Sequence, residues 1–127
     1  MSTMNGLSRR ERQIMDILYQ RGKASAAEVR EAMGDAPGYS AVRAMLRLLE
    51  EKGHARHLEE GLKYVYLPTV ARDKAKRSVV KHLLETFCNG SAEQAVAALL
   101  DVSAAKLTKA ELERMGQMIE KAKREGR

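Results

Sequence analysis

Residues 39–68 decide how this chain is read. They run Tyr39-Ser40-Ala41-Val42-Arg43-Ala44-Met45-Leu46-Arg47-Leu48-Leu49-Glu50-Glu51-Lys52-Gly53, then His54-Ala55-Arg56-His57-Leu58, Glu59-Glu60-Gly61 and Leu62-Lys63-Tyr64-Val65-Tyr66-Leu67-Pro68. In the first stretch Val42, Met45, Leu46 and Leu49 recur at i, i+3, i+4 and i+7. That spacing predicts a helix over about 40–52, with those four side chains buried and Gly53 as its stop. Beyond Gly53 the period changes. Two short runs flank a Gly-containing turn, which predicts strand, turn, strand, closed by Pro68. A helix feeding directly into a hairpin is the second half of a winged helix-turn-helix.

Outward from that stretch, four segments open with Ser or Thr followed three residues later by Glu or Gln. They are Ser8 with Glu11, Ser25 with Glu28, Ser91 with Gln94, and Thr108 with Glu111. In such a capping box the hydroxyl accepts a first-turn N–H and the later side chain reaches back to the cap. Apolar periodicity follows each one, predicting helices over about 9–20, 26–33, 92–101 and 109–124. The first turns Ile14, Ile17 and Leu18 inward and stops at Gly22. The second carries Val29 and Met33 and ends at Gly34, read as a left-handed cap. Asp35-Ala36-Pro37-Gly38 reads as a turn. After the hairpin, a helix over about 70–88 places Val70, Ala75, Val79, Leu83 and Phe87 on one side and ends at Asn89-Gly90.

The expected fold is mainly α with a small β-hairpin. A winged helix-turn-helix over 1–68 is the expected DNA-binding domain, and a three-helix dimerisation region follows over 69–127. Those last 59 residues have no sheet of their own and bury too little surface to be stable alone. A dimer resolves this by mutual burial of Val79, Leu83, Phe87, Val96, Leu99, Leu100, Leu112, Met115 and Ile119. A two-fold dimer also suits a palindromic DNA site.

Composition narrows the function. Among 127 residues there are four Tyr, one Phe and no Trp. That argues against a stacking platform for single strands and against an aromatic-lined pocket. A single cysteine, Cys88, excludes an intrachain disulfide and a Cys-rich metal cluster; it reads as a small buried apolar residue. No apolar run approaches the roughly 20 residues a bilayer requires, so no membrane insertion is expected. MSTMNGLSRR has no apolar segment after its charges, so no signal peptide is expected and the cytoplasm is the default location. Net charge is +6, divided as +2 over residues 1–68 and +4 over 69–127. Contacts to an anionic partner from the first half must therefore come from placed arginines rather than a general basic field.

The third helix supplies them. Its outward face carries Ser40, Ala41, Arg43, Ala44 and Arg47, with Arg43 and Arg47 one turn apart. A guanidinium fork fits phosphate or the O6/N7 edge of guanine, and small alanines let the backbone approach bases. Arg56 and Lys63 on the wing strands are further candidates, although the turn Glu59-Glu60-Gly61 is acidic. A solvated face with an Arg47–Glu51 pair is the plainer alternative. The basic run Arg72, Lys74, Lys76, Arg77, Lys81 reads first as a solvated helix face and second as a phosphate contact. His54 and His57 are three apart on a strand and face opposite sides, a poor chelate, so no metal site is expected. No Gly-rich phosphate loop, no Asp/Glu pair beside an apolar pocket signature and no supported Ser–His–Asp order is present, so neither catalysis nor a cofactor is expected.

Beyond these local signals, Leu7-Ser8-Arg9-Arg10-Glu11, Ser25-Ala26-Ala27-Glu28-Val29, the stretch Tyr39–Gly53, Tyr64-Val65-Tyr66-Leu67-Pro68 and Leu107-Thr108 with Glu111-Leu112 resemble the penicillinase-repressor family. This family of methicillin-, penicillinase- and copper-type repressors is matched over nearly the whole chain. The resemblance implies a homodimeric transcriptional repressor on a double-stranded operator. Two departures touch the reading helix. The family's common Thr-Val-x-Thr is Ala41-Val42-Arg43-Ala44 here, and its paired Arg-Arg is Arg47-Leu48, so an operator different from the family's usual one is an expectation. The copper branch's C-terminal Cys-x-Cys is missing, which excludes copper sensing through it. The antibiotic-responsive branch is released by a sensor protease at an Asn-Phe bond, where this chain has Ala97-Ala98-Leu99-Leu100. Cleavage between Val96 and Asp101 remains the expected release, at a different bond. A dimeric winged-helix adaptor that binds protein rather than specific DNA is the alternative reading.

Overall fold

The computed structural model describes residues 6–34 and 37–126. Six helices and three strands follow in the order α1 (Arg9–Arg21), β1 (Ala24–Ser25), α2 (Ala26–Met33), α3 (Tyr39–Glu51), β2 (Ala55–Glu60), β3 (Lys63–Pro68), α4 (Arg72–Phe87), α5 (Ala92–Val102) and α6 (Lys109–Glu125). The chain is mainly helical with a small antiparallel sheet, and its first part is a winged helix. Two compact units are distinguished, Met1–His82 and Leu83–Arg127.

The first unit holds the core. Ile14, Met15, Ile17 and Leu18 of α1 pack with Val29 and Met33 of α2 and with Val42, Leu46 and Leu49 of α3. Leu7, Ala24, Ala26 and Ala55 complete this cluster. Met45, expected inside, is only partly buried against it; the stripe of α3 is narrower than its spacing suggested. The hairpin gains a third strand that was not expected. Ala24 and Ser25 pair with Tyr66 and Val65, giving the order β1-β3-β2. The wing turn is also shorter than expected and starts two residues later. Glu59 and Glu60 belong to β2, pairing with Tyr64 and Lys63, and Gly61-Leu62 make the two-residue turn. Gly61 has φ +65°, the left-handed position that a tight hairpin places at its first central residue.

Capping boxes close reciprocally at Ser8–Glu11, Ser25–Glu28 and Thr108–Glu111. At Ser91 only half the device forms: its hydroxyl accepts from the Gln94 N–H. Gly34 ends α2 at φ +90°, ψ −119°, which is positive but not the left-handed helical cap expected. Asp35 and Ala36 of the expected turn lie outside the described residues, as do Met1–Asn5 of the N-terminal segment. At the far end of α1, the Arg72 Nε donates to the Tyr19 carbonyl at 2.8 Å and Nη2 to Gln20 at 3.0 Å. A cation thereby satisfies two carbonyls that a helix end leaves open. Arg72 is thus a helix cap, and Lys76 pairs with Asp73 at 3.8 Å.

Glu11 does more than cap. It is buried, accepts from the Ser8 N–H at 2.9 Å, and receives Lys52 Nζ at 3.1 Å on each oxygen, linking α1 to the end of α3. The Ser8 N–H holds its carboxyl below the usual value near 4.5; burial opposes this and Lys52 assists it. The stability this contributes is present above that usual value and is lost as pH falls through the lowered one. Glu11→Ala should therefore cost about 2 kcal/mol at neutral pH, and its deficit should shrink on acidification, as read by urea unfolding between pH 7 and 3.

The second unit contrasts with the first. Among its described residues, 83–126, Cys88 alone is buried. Phe87 is 73% exposed, Val102 84%, and Leu99 and Ile119 each 54%. Val96, Leu100, Leu112 and Met118 are also exposed, and Met115 and Ala122 are half-buried. α4 ends in a tight cap, with Gly90 N–H donating to the Leu84 carbonyl at 2.7 Å while Asn89 and Gly90 take φ +51° and +75°.

Candidate nucleic-acid interface

The third helix and the wing enclose a cleft of about 640 Å³ in the first unit. Tyr39, Arg43, Arg47 and Glu50 of α3 form one wall, at i, i+4, i+8 and i+11. His57, Leu62, Lys63, Tyr64 and Tyr66 of the wing form the other, and Ser25, Ala26 and Ala27 lie at its base. The helix spacing follows from the core. With Val42, Leu46 and Leu49 turned inward, the row 39–43–47–50 is carried to the side that the wing faces.

Both arginines are exposed and available. Arg43 lies over the Tyr39 ring, 5.8 Å from its centre, a cation–π contact that orients the guanidinium without neutralising it. Neither Arg43 nor Arg47 makes an ion pair among the described residues, so the Arg47–Glu51 pairing of a plain solvated face does not form. The field of these two cations reaches the cleft interior. Burial raises the Tyr66 hydroxyl above its ordinary value and Glu50 raises it further, while Arg43 and Arg47 pull it down.

The other expected contacts are distributed around this cleft. Ser40, Ala41 and Ala44 are exposed on α3, next to the cleft rather than lining it. Lys63 lines it. Arg56 is exposed on β2 but outside it, since strand alternation sends it to the face opposite His57. The acidic tip is partly neutralised by an ion pair between Lys23 and Glu60. α3 begins at Gly38, which brings no side-chain oxygen to the first turn, in contrast to the Ser and Thr caps of α1, α2, α5 and α6.

Sequence reasoning missed Tyr39, Glu50, Tyr64 and the role of His57. The His57 Nδ1–H donates to both Glu50 oxygens at 2.8 Å, and its ring stacks on Tyr64 at 4.3 Å and 15°. Period-two alternation does put His57, Tyr64 and Tyr66 on one face. Only the packing of α3 on β2 brings Glu50 to them.

A model of the penicillinase repressor family matches residues 7–121. No curated protein sequence matches the chain. Among solved structures, a complex of RosR from H. salinarum is similar at 18% identity, over 80% of this chain and 93% of that one, with a TM-score of 0.56. A variant of ZitR from Lactococcus lactis is similar at 16% identity over 100% and 80%, TM-score 0.52. A variant of MarR from E. coli is similar at 12% identity over 92% and 78%, TM-score 0.51. At these identities the likeness is one of fold.

Proposed function

Since the chain belongs to the penicillinase repressor family, and so is a DNA-binding transcriptional regulator rather than an enzyme, we propose that it represses transcription as a homodimer on a palindromic operator. The observation that carries this reading is the pair Arg43 and Arg47, exposed on the wing side of α3 and without an ion pair among the described residues. Arg47 and Arg43 read base edges, while Ser40, Ala41 and Ala44 allow the helix to lie close in the major groove. Lys63 and Arg56 hold phosphates from the wing. The uncapped first turn of α3 suits a phosphate as well.

Dimerisation is assigned to residues 69–127, through Val79, Leu83 and Phe87 of α4, Val96, Leu99 and Leu100 of α5, and Leu112, Met115 and Ile119 of α6. So many half-exposed apolar side chains, with so little buried among them, call for a partner surface. A second copy supplies it with the symmetry a palindrome requires.

A mobility-shift titration over a salt series tests DNA binding. The logarithm of the binding constant should fall with the logarithm of salt, by about 0.9 per phosphate neutralised. A salt-independent complex, or binding to protein only, would favour the adaptor reading instead.

Release is assigned to proteolysis between Val96 and Asp101, with a sensor protease as the partner. That stretch is exposed and lies inside α5, so the helix must open locally before a protease engages it. Protein recovered from derepressed cells should weigh less than 14.2 kDa. An intact chain that has left its operator would refute cleavage as the switch. No helix among the described residues is long and apolar enough to cross a membrane.

A further inference from the structure

We propose that His57 and Glu50 form a proton-sensitive brace between the wing and α3, in which His57 is a positioning residue whose protonation strengthens DNA binding. This rests on the DNA-binding reading of the same cleft. The imidazole is held from two sides: Glu50 accepts its Nδ1–H at 2.8 Å on both oxygens, and Tyr64 stacks on its face, with Tyr66 tilted at 5.7 Å. Besides Glu50, the charged and titratable groups facing it are Tyr39, Arg43 and Arg47 from α3, Lys63, Tyr64 and Tyr66 from β3, and Glu59 two residues along β2 on the same face.

Glu50 is the carboxylate that lines the cleft, against three cations, Arg43, Arg47 and Lys63. An Nδ1–H donates to it whether the ring is neutral or charged, so the brace persists in both states. What changes is charge. With a neutral ring, Glu50 offsets one cation; with an imidazolium, the pair is neutral and all three face outward. A polyanion favours the second state, so binding DNA takes up a proton. Affinity is then higher with the ring protonated and falls as pH rises.

The test is fluorescence polarisation with a duplex selected on the unaltered chain, from pH 5.5 to 8.5 at constant ionic strength. The unaltered protein should lose about three- to tenfold in affinity across that range as the ring gives up its proton. His57→Asn should give a flat profile. Glu50→Gln keeps an acceptor for the Nδ1–H but removes the charge, so it should bind more tightly than the unaltered protein at pH 8.5. A merely structural role for Glu50 would weaken binding there. A flat profile for the unaltered chain, a His57→Asn profile that keeps the slope, or weaker binding by Glu50→Gln at pH 8.5 overturns the brace while leaving DNA binding intact. Absence of DNA binding at every pH overturns both readings.

Discussion

Glutamates placed in the apolar stripes of the last two helices, as Leu99→Glu combined with Ile119→Glu, are expected to leave a 14.2 kDa monomer that binds a two-half-site duplex about 10²–10⁴-fold more weakly. Two reasons set the size of this effect. In the proposed dimer each winged helix would offer one reading helix and so one half-site contact. Joining two of them makes the second contact intramolecular, and its effective concentration is lost when the dimer parts. The folding core should survive, because the buried cluster runs from Leu7 to Ala55 and neither substituted residue belongs to it. Both side chains are half exposed in the single chain, so a charge there costs little until a partner must cover it. Sedimentation velocity reads the mass and a mobility shift reads the affinity. A doubly substituted protein that stays dimeric and binds unchanged would remove 69–127 as the dimerisation region.

Replacing Arg43 or Arg47 with Ala should produce the second largest loss, about 1–3 kcal/mol each, or roughly 5–150-fold in affinity for the selected operator. Neither change should disturb folding, since both side chains are exposed and make no ion pair among the described residues. Arg43 gives up only its position over Tyr39. The pattern across sequences separates the possible roles. An arginine forked onto a guanine edge, when lost, relaxes preference at one base pair. An arginine on phosphate weakens all duplexes about equally and lowers the salt slope by about one. A double variant that binds the operator as the unaltered chain does would leave the cleft without a reading function.

The parts of this molecule that sequence disclosed are those specified locally. Val42, Leu46 and Leu49 at helical spacing, Gly53 as a stop, and a Gly-turn between period-two runs need no distant partner to be read. The same holds for Ser8, Ser25 and Thr108, whose caps close within one turn. What stayed hidden depends on pairs far apart in the chain. Ala24-Ser25 becomes a strand only because β3 comes alongside. Glu11 is a buried carboxylate only because Lys52, 41 residues later, meets it. Met45, at the same helical spacing, is only partly buried against the core. The arginines were legible as an outward row. Their setting, with Tyr39 beneath one and the Glu50–His57 pair beside them, required the packing of helix on wing.

Two copies of this chain are expected to read an inverted repeat. Selection of duplexes from a random pool by the full-length protein tests it most directly, with the mass of the recovered complex measured in the same experiment. The expected result is enrichment of a palindrome whose half-site centres lie about one or two helical turns apart, bound by protein of twice 14.2 kDa. Enrichment of an unrepeated site by a single chain, or no enrichment at all, would contradict it.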